Sequence, residues 1–198
     1  MFDDVELNRK KKRKILFSRQ SLCLQELLQL IRQQKHRTLV LWAFACVKEP
    51  LTEIETNYPE EQRPRIAFEL CQKWAHGMIT MPSAKRAILD CHKVGKEIED
   101  PSDIALCHAI GQGLSTVHVE THAIGLPIYE LTALVIKNYP HYQTIVSDKI
   151  QYYIDTLHYF EKHIDQIEFG WADFLQRDDV PNKEKKIETP KNHGQAHK

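Results

Sequence analysis

Apolar residues recur along most of this chain at the helical spacing i, i+3, i+4 and i+7, and no run of alternating β-branched residues competes for strand. Leu24, Leu27, Leu28 and Ile31 share one face of a first helix, with Ser21 placed to cap it. The stretch from His36 to Lys48 is apolar nearly all round, as a buried helix should be. Pro50 is expected to end it, leaving a polar, glutamate-rich loop to Gln62. Pro64 suits the first turn of a third helix that buries Ile66, Ala67, Leu70, Cys71 and Trp74, and Gly77 is its expected stop. A fourth helix opens at Pro82 or Ser83 and turns Ala84, Ala87, Ile88, Cys91, Val94 and Ile98 inward. Asp100-Pro101, an N-cap followed by proline at the first helical position, starts a fifth that is expected to run to about His122. Pro127 opens a sixth that ends near Asn138. Ile150, Ile154, Leu157, Phe160, Ile164 and Ile167 then mark a long last helix. The pattern predicts an all-α fold: a compact bundle or stack of about seven helices packed as antiparallel pairs.

Charge divides the chain in a way its zero net charge conceals. Residues 1–20 carry seven bases against three acids, and residues 177–198 carry six against four. The body between them, 21–176, has a net charge of −6. This organisation predicts a basic, solvated N-terminal segment (1–20), a single helical domain (21–176) and a polar, disordered tail (177–198) too poor in apolar surface to offset ordering entropy. An acidic body favours cationic partners and disfavours nucleic acid as the main ligand. At 198 residues, 42% hydrophobic and 27% charged, the composition is that of an ordinary globular protein. Five scattered cysteines without a CxxC pair read as reduced thiols. With no leader peptide visible at the N-terminus and no apolar run near the ~20 residues a bilayer requires, the expected location is the cytoplasm.

The densest candidate chemistry lies between Gly111 and Gly125, GQGLSTVHVETHAIG. His118 and His122 are four apart, so a continuing helix would put both on one face, with Cys107 close to the same direction. With His108 and Glu120 they could offer nitrogen, sulfur and oxygen donors to zinc. The order H-V-E-T-H is not the H-E-x-x-H of zincins, and Glu120 would be turned about 200° from His118, away from a metal held by the histidine pair. Structural histidines are therefore the preferred reading, with a metal-dependent enzyme built on His118 and His122 as the alternative. Ser115 lacks an elbow motif, and no phosphate-cradling loop follows a strand. Asp100 at the turn between the fourth and fifth helices places His92 and His108 level with each other across a hairpin. Gly95, Gly111 and Gly113 read as sites of close helix approach, and Trp42, Trp74 and Trp171 as core. Glu53, Glu55, Glu60 and Glu61 fall in the acidic stretch after the second helix and are candidates for contacting a basic partner.

Two runs, EEQRPRIAFELCQKWAHGMIT (Glu60 to Thr80) and AIGQGLSTVHVETHAIGLPIYELTALV (Ala109 to Val135), resemble the immunity-five-like class of immunity proteins from bacterial polymorphic toxin systems. The matching features are Arg63, Pro64 and Arg65 leading into a helix with Trp74, then Gly111, Thr116, His118, His122, Ala123 and Tyr129, with Leu41-Trp42 upstream. The resemblance spans roughly residues 36–138. The chain departs from it at Ile88, Leu89, Asp90, Cys91, Leu106 and Cys107, where the family favours alanine. It implies a helical fold, no catalysis and no cofactor, and stoichiometric binding to a cognate toxin. The acidic body would suit a basic toxin such as a nuclease. A blander expectation is a scaffold that homodimerises through the long last helix.

Overall fold

A computed structural model describes residues 1–187. Its elements, among those residues, are nine α-helices: α1 (Asp3–Lys10), α2 (Gln25–Gln33), α3 (His36–Cys46), α4 (Lys48–Asn57), α5 (Arg63–Ala75), α6 (Met81–Val94), α7 (Pro101–Ser115), α8 (Gly125–Asn138) and α9 (Gln143–His163). Short 3-10 turns cover Leu22–Leu24, Glu120–His122, Asp173–Leu175 and Lys183–Lys186, and no strand is present among the described residues. The all-α expectation holds, with more helices than the seven expected.

Helix α7 is the axis of the molecule. It packs against α8 and α6 as sequence neighbours and against α3, α4 and α5 on its other sides. Most of its residues are buried, so its apolar positions surround it rather than form a stripe. The Asp100 carboxylate caps it by accepting from the backbone N–H groups of Ser102 (2.8 Å) and Asp103 (3.1 Å), as the Asp-Pro start predicts. Helix α9 closes the other side against α2, α3 and α8. There the fully buried Trp42 donates its indole N–H to the Tyr153 carbonyl at 3.0 Å. The Tyr153 hydroxyl bonds the buried Glu130, which also pairs with Lys149 Nζ at 2.6 Å. Burial pushes the Glu130 carboxyl up, while Lys149 and Tyr153 act to hold it down.

Helix boundaries differ from the expected ones at several places: α6 ends at Val94, before Ile98, and α9 at His163, before Ile164 and Ile167. Pro50 does not end a helix. It sits in the first turn of α4, where its missing N–H costs nothing, and Leu51 and Ile54 bury the inner face of the stretch expected to be a loop. Gly77 does end α5, at φ +73°, where a side chain would be strained. Helix α7 stops at Ser115 instead of continuing to His122. The run Thr116-Val117-His118-Val119 is rich in β-branched residues, and Val119 is fully extended at φ −158°, ψ 139°.

The two chain ends also differ from the expectation of solvated segments. Val5 in α1, Leu16 and Phe17 are buried. Residues 177–187, expected to begin a disordered tail, are folded back onto α2 and the Glu120–His122 turn. Asn182 Nδ2 donates to the carbonyls of Ile31 (2.8 Å) and Gln34 (3.1 Å), adding side-chain hydrogen bonds at the end of α2. Glu184 is fully buried and pairs with Arg19 at 2.6 Å. Polar side chains anchor this segment, which a count of apolar residues does not register. The rest of the expected tail, 188–198, lies outside the described residues.

Candidate functional site

The glycines of α7 let its neighbours approach to contact. A Cβ on Gly111 would lie 2.5 Å from the His92 ring, and one on Gly113 would lie 2.4 Å from Val47 Cγ1. His92 on α6 thus rests over the α7 backbone, and its Nδ1 is 2.9 Å from Nδ1 of His108. The pairing expected from the hairpin is present. One ring donates and the other accepts, so the bond requires at least one neutral imidazole. Burial first, then His108 and His122, pulls the His92 imidazole down to about 4. Burial and Lys96 lower His108 as well.

Beyond Ser115 the chain turns back on itself. The Ser115 hydroxyl donates to the Gly111 carbonyl at 2.7 Å, and a half-buried His36 contacts the Thr116 carbonyl through Nε2 at 2.6 Å. His36 Nδ1 lies 3.8 Å from Oε1 of the buried Glu120. Glu120 Oε2 has no hydrogen-bond partner among the described residues. His118 is exposed and lies stacked against Trp74, with ring centroids 6.1 Å apart, and Trp74 also stacks on Phe174 at 5.5 Å. His122 Nδ1 donates to Gln112 Oε1 at 2.9 Å. Burial, then His118 and Arg19, lowers the His122 imidazole.

These contacts correct the expected helical placement of His118 and His122 and part of the structural reading. His118 and His122 do not share a helix face, because the helix has ended before them. Among the described residues no group of three or more His, Cys, Asp or Glu side chains is placed to hold a metal ion. Nor are the two histidines buried in a core: they line a surface cavity of about 240 Å³ with Trp74, His92, Gln112 and Ser115. His122 and Gln112 also border a second cavity of about 440 Å³. That one shares Tyr129 and Ile15 with a third of about 730 Å³ between residues 9–16 and the α7–α8 face. Trp74, His118, His122 and Tyr129, four of the signature residues, therefore converge on one cavity-lined face. Of the other signature residues, Gly111 lies under His92 on this same face, whereas Arg63 and Arg65 form ion pairs away from it. Arg63, next to Pro64 at the start of α5, binds Glu61 (2.8 Å) and Glu97 (3.1 Å), tying α5 to the α6–α7 turn.

The four glutamates singled out from the sequence lie along α4 and the α4–α5 turn. Glu55 accepts both forks of Arg65, at 2.6 and 2.7 Å, and this hydrogen bonding holds its carboxyl below the usual range. Glu61 is lowered in the same way by Arg63. Glu53 pairs with Lys137. Glu60 is exposed and has no ion-pair partner among the described residues. What the sequence reading missed is the role of residues 9–14: the basic run, expected to be a solvated segment, borders the largest of these three cavities. Its one signal was the apolar Ile15-Leu16-Phe17 that immediately follows and anchors it.

All five cysteines are free, and four of them are buried. No helix among the described residues is long and apolar enough to cross a membrane. Fold and site together define an all-α protein with a row of cavities over its central helix. The chain belongs to the family described as Imm-5 like putative immunity protein, whose model matches residues 29–156. That match runs from α2 into α9, wider than the stretch of sequence resemblance, and leaves α1 and residues 157–187 outside it. No curated protein and no solved structure matches the chain.

Proposed function

We propose that this protein neutralises a cognate bacterial toxin, in the cytoplasm of the cell that makes both, by forming a stoichiometric complex and without catalysing a reaction. Family membership over 128 of 198 residues is the observation that carries the reading. The disposition of the histidines supports it: His36, His92, His108 and His122 are each engaged in an internal hydrogen bond. The acidic edge formed by Glu53, Glu55, Glu60 and Glu61 is our candidate for steering a basic toxin such as a nuclease. Three of the four are held by internal cations, so they contribute field and a fixed shape more than free charge.

The test is capture of a partner from the native host, followed by co-expression of that partner with and without this protein. Rescue of growth, with a one-to-one complex on sizing, is the expected result. Recovery of only a homodimer, without rescue of any captured protein, would overturn it. Replacing all four glutamates by alanine should slow association and flatten its salt dependence. If both are unchanged, the acidic edge is not the contact surface.

A further inference from the structure

The three cavities over α7 share a charge pattern opposite to that of the body that carries them. Arg9, Lys12, Arg13, Lys14 and Lys96 border the first, Arg19 the second and Lys85 the third. Among the described residues no aspartate or glutamate lines any of the three. Lys12, Arg13, Lys14, Lys85 and Lys96 have no ion-pair partner among the described residues, whereas Arg9 pairs with Glu6 at 3.7 Å and Arg19, at the second cavity, with the buried Glu184. The cavities adjoin: the first two share Ile15 and Tyr129, and the second two share Gln112 and His122.

Apolar side chains are exposed along the same row. Ile15, Met81, Leu89, Ile136 and Tyr139 are each at least 36% exposed and all lie on cavity walls. Unpaired cations around concave apolar surface are what an anionic, partly apolar ligand neutralises and covers. A row of adjoining hollows fits successive side chains of an extended polypeptide better than one compact molecule. Nucleic acid fits less well, because single strands need free aromatic faces on which bases stack. Here Arg9 lies 3.4 Å over the Tyr139 ring, and Trp74 is stacked between His118 and Phe174.

We propose that this row of cavities is a docking groove for an acidic segment of the protein partner, one that alternates carboxylate with apolar side chains. The proposal rests on the reading of this chain as a protein-binding protein, and adds a second surface of opposite sign to the acidic edge. The groove walls come largely from residues 81–139, inside the family match, whereas Arg9, Lys12, Arg13, Lys14 and Arg19 lie outside it. The cationic rim is thus placed to set which partner this chain accepts.

The test is fluorescence anisotropy on the full chain with a pool of labelled peptides that alternate Glu or Asp with Leu, Ile or Phe. Comparison probes are the same pool with Lys in place of the acids, and an oligothymidylate of matching charge. The acidic pool should bind in a salt-sensitive manner and the lysine pool should not. Lys12→Glu/Arg13→Glu/Lys96→Glu, three exposed positions, should weaken binding about tenfold or more while the thermal melt stays that of the parent. Absence of acidic-pool binding, insensitivity to the triple reversal, or equal or tighter binding of oligothymidylate would each overturn the groove. The assay uses no toxin, so the two readings fail separately. Peptide binding without rescue overturns the toxin assignment, and rescue without peptide binding overturns the groove alone.

Discussion

Gly113 occupies a position where even a methyl group lacks room, because its Cβ would meet Val47 Cγ1 at 2.4 Å and Leu126 Cδ2 at 3.3 Å. Val47 is fully buried at the corner between α3 and α4 and has little freedom to move aside. Gly113→Ala should therefore destabilise the protein by about 1–3 kcal/mol, even though alanine is favoured in a free helix by ~1 kcal/mol. Urea unfolding measures this, and a gain in stability would show that α7 and the α3–α4 corner can separate freely. His92 supplies a pH-dependent counterpart. Its folded value of about 4 lies below the ordinary 6.5, so the unfolded chain takes up a proton that the folded ring refuses. Its contribution is complete above pH 6.5 and is lost as pH falls towards 4, by roughly 2 kcal/mol after allowance for partial solvent contact. The drop in stability from pH 7 to 4.5 should be smaller in His92→Gln than in the parent. Equal slopes would remove His92 from the account. Both residues were legible as packing features, since the glycines interrupt a helix at a cost and the Asp100 turn sets His92 level with His108. The placement of His118 and His122 was not legible. It depends on where α7 stops, and helical spacing was extended through β-branched residues that the chain uses to leave the helix.

Elements with a strong local signal were easy to read. The Asp100-Pro101 start of α7, the Gly77 stop of α5 and the spacing of Ile150, Ile154, Leu157 and Phe160 in α9 describe the structure, although α9 ends before Ile164 and Ile167. Pro50 was misread because proline in a first turn and proline after a last turn look alike when the helix that follows buries only Leu51 and Ile54 beyond the proline itself. The segment 177–187 was misread for a different reason. Its anchors are Asn182 and Glu184, whose worth lies in the backbone and guanidinium groups they meet, far away in sequence. Asn182→Ala removes both bonds to the end of α2 and the Asn182 acceptor for the Glu184 N–H at 2.8 Å. It should cost about 1–3 kcal/mol and speed amide exchange around Ile31 to Gln34. Exchange rates and stability equal to the parent's would show that this segment adds nothing to the fold.

At the scale of the whole molecule, two groups of opposite charge stand out: the glutamates at α4 and the α4–α5 turn, and a cationic, apolar-walled row over α7. Net charge and its division along the chain point to the first. The second was hidden because its cations come from distant segments, residues 9–19 together with Lys85 and Lys96, which only folding brings to one face. Membership of the immunity family makes binding, rather than turnover, the expected mode of action. The direct measurement is titration of the captured toxin's activity with this purified protein, in the presence and absence of a chelator. The account predicts a linear loss that reaches completion at one equivalent, the same with and without chelator, and toxin activity regained when the complex is dissociated. Loss of toxin activity at a small fraction of an equivalent, progressing with time and not regained on dissociation, would contradict it.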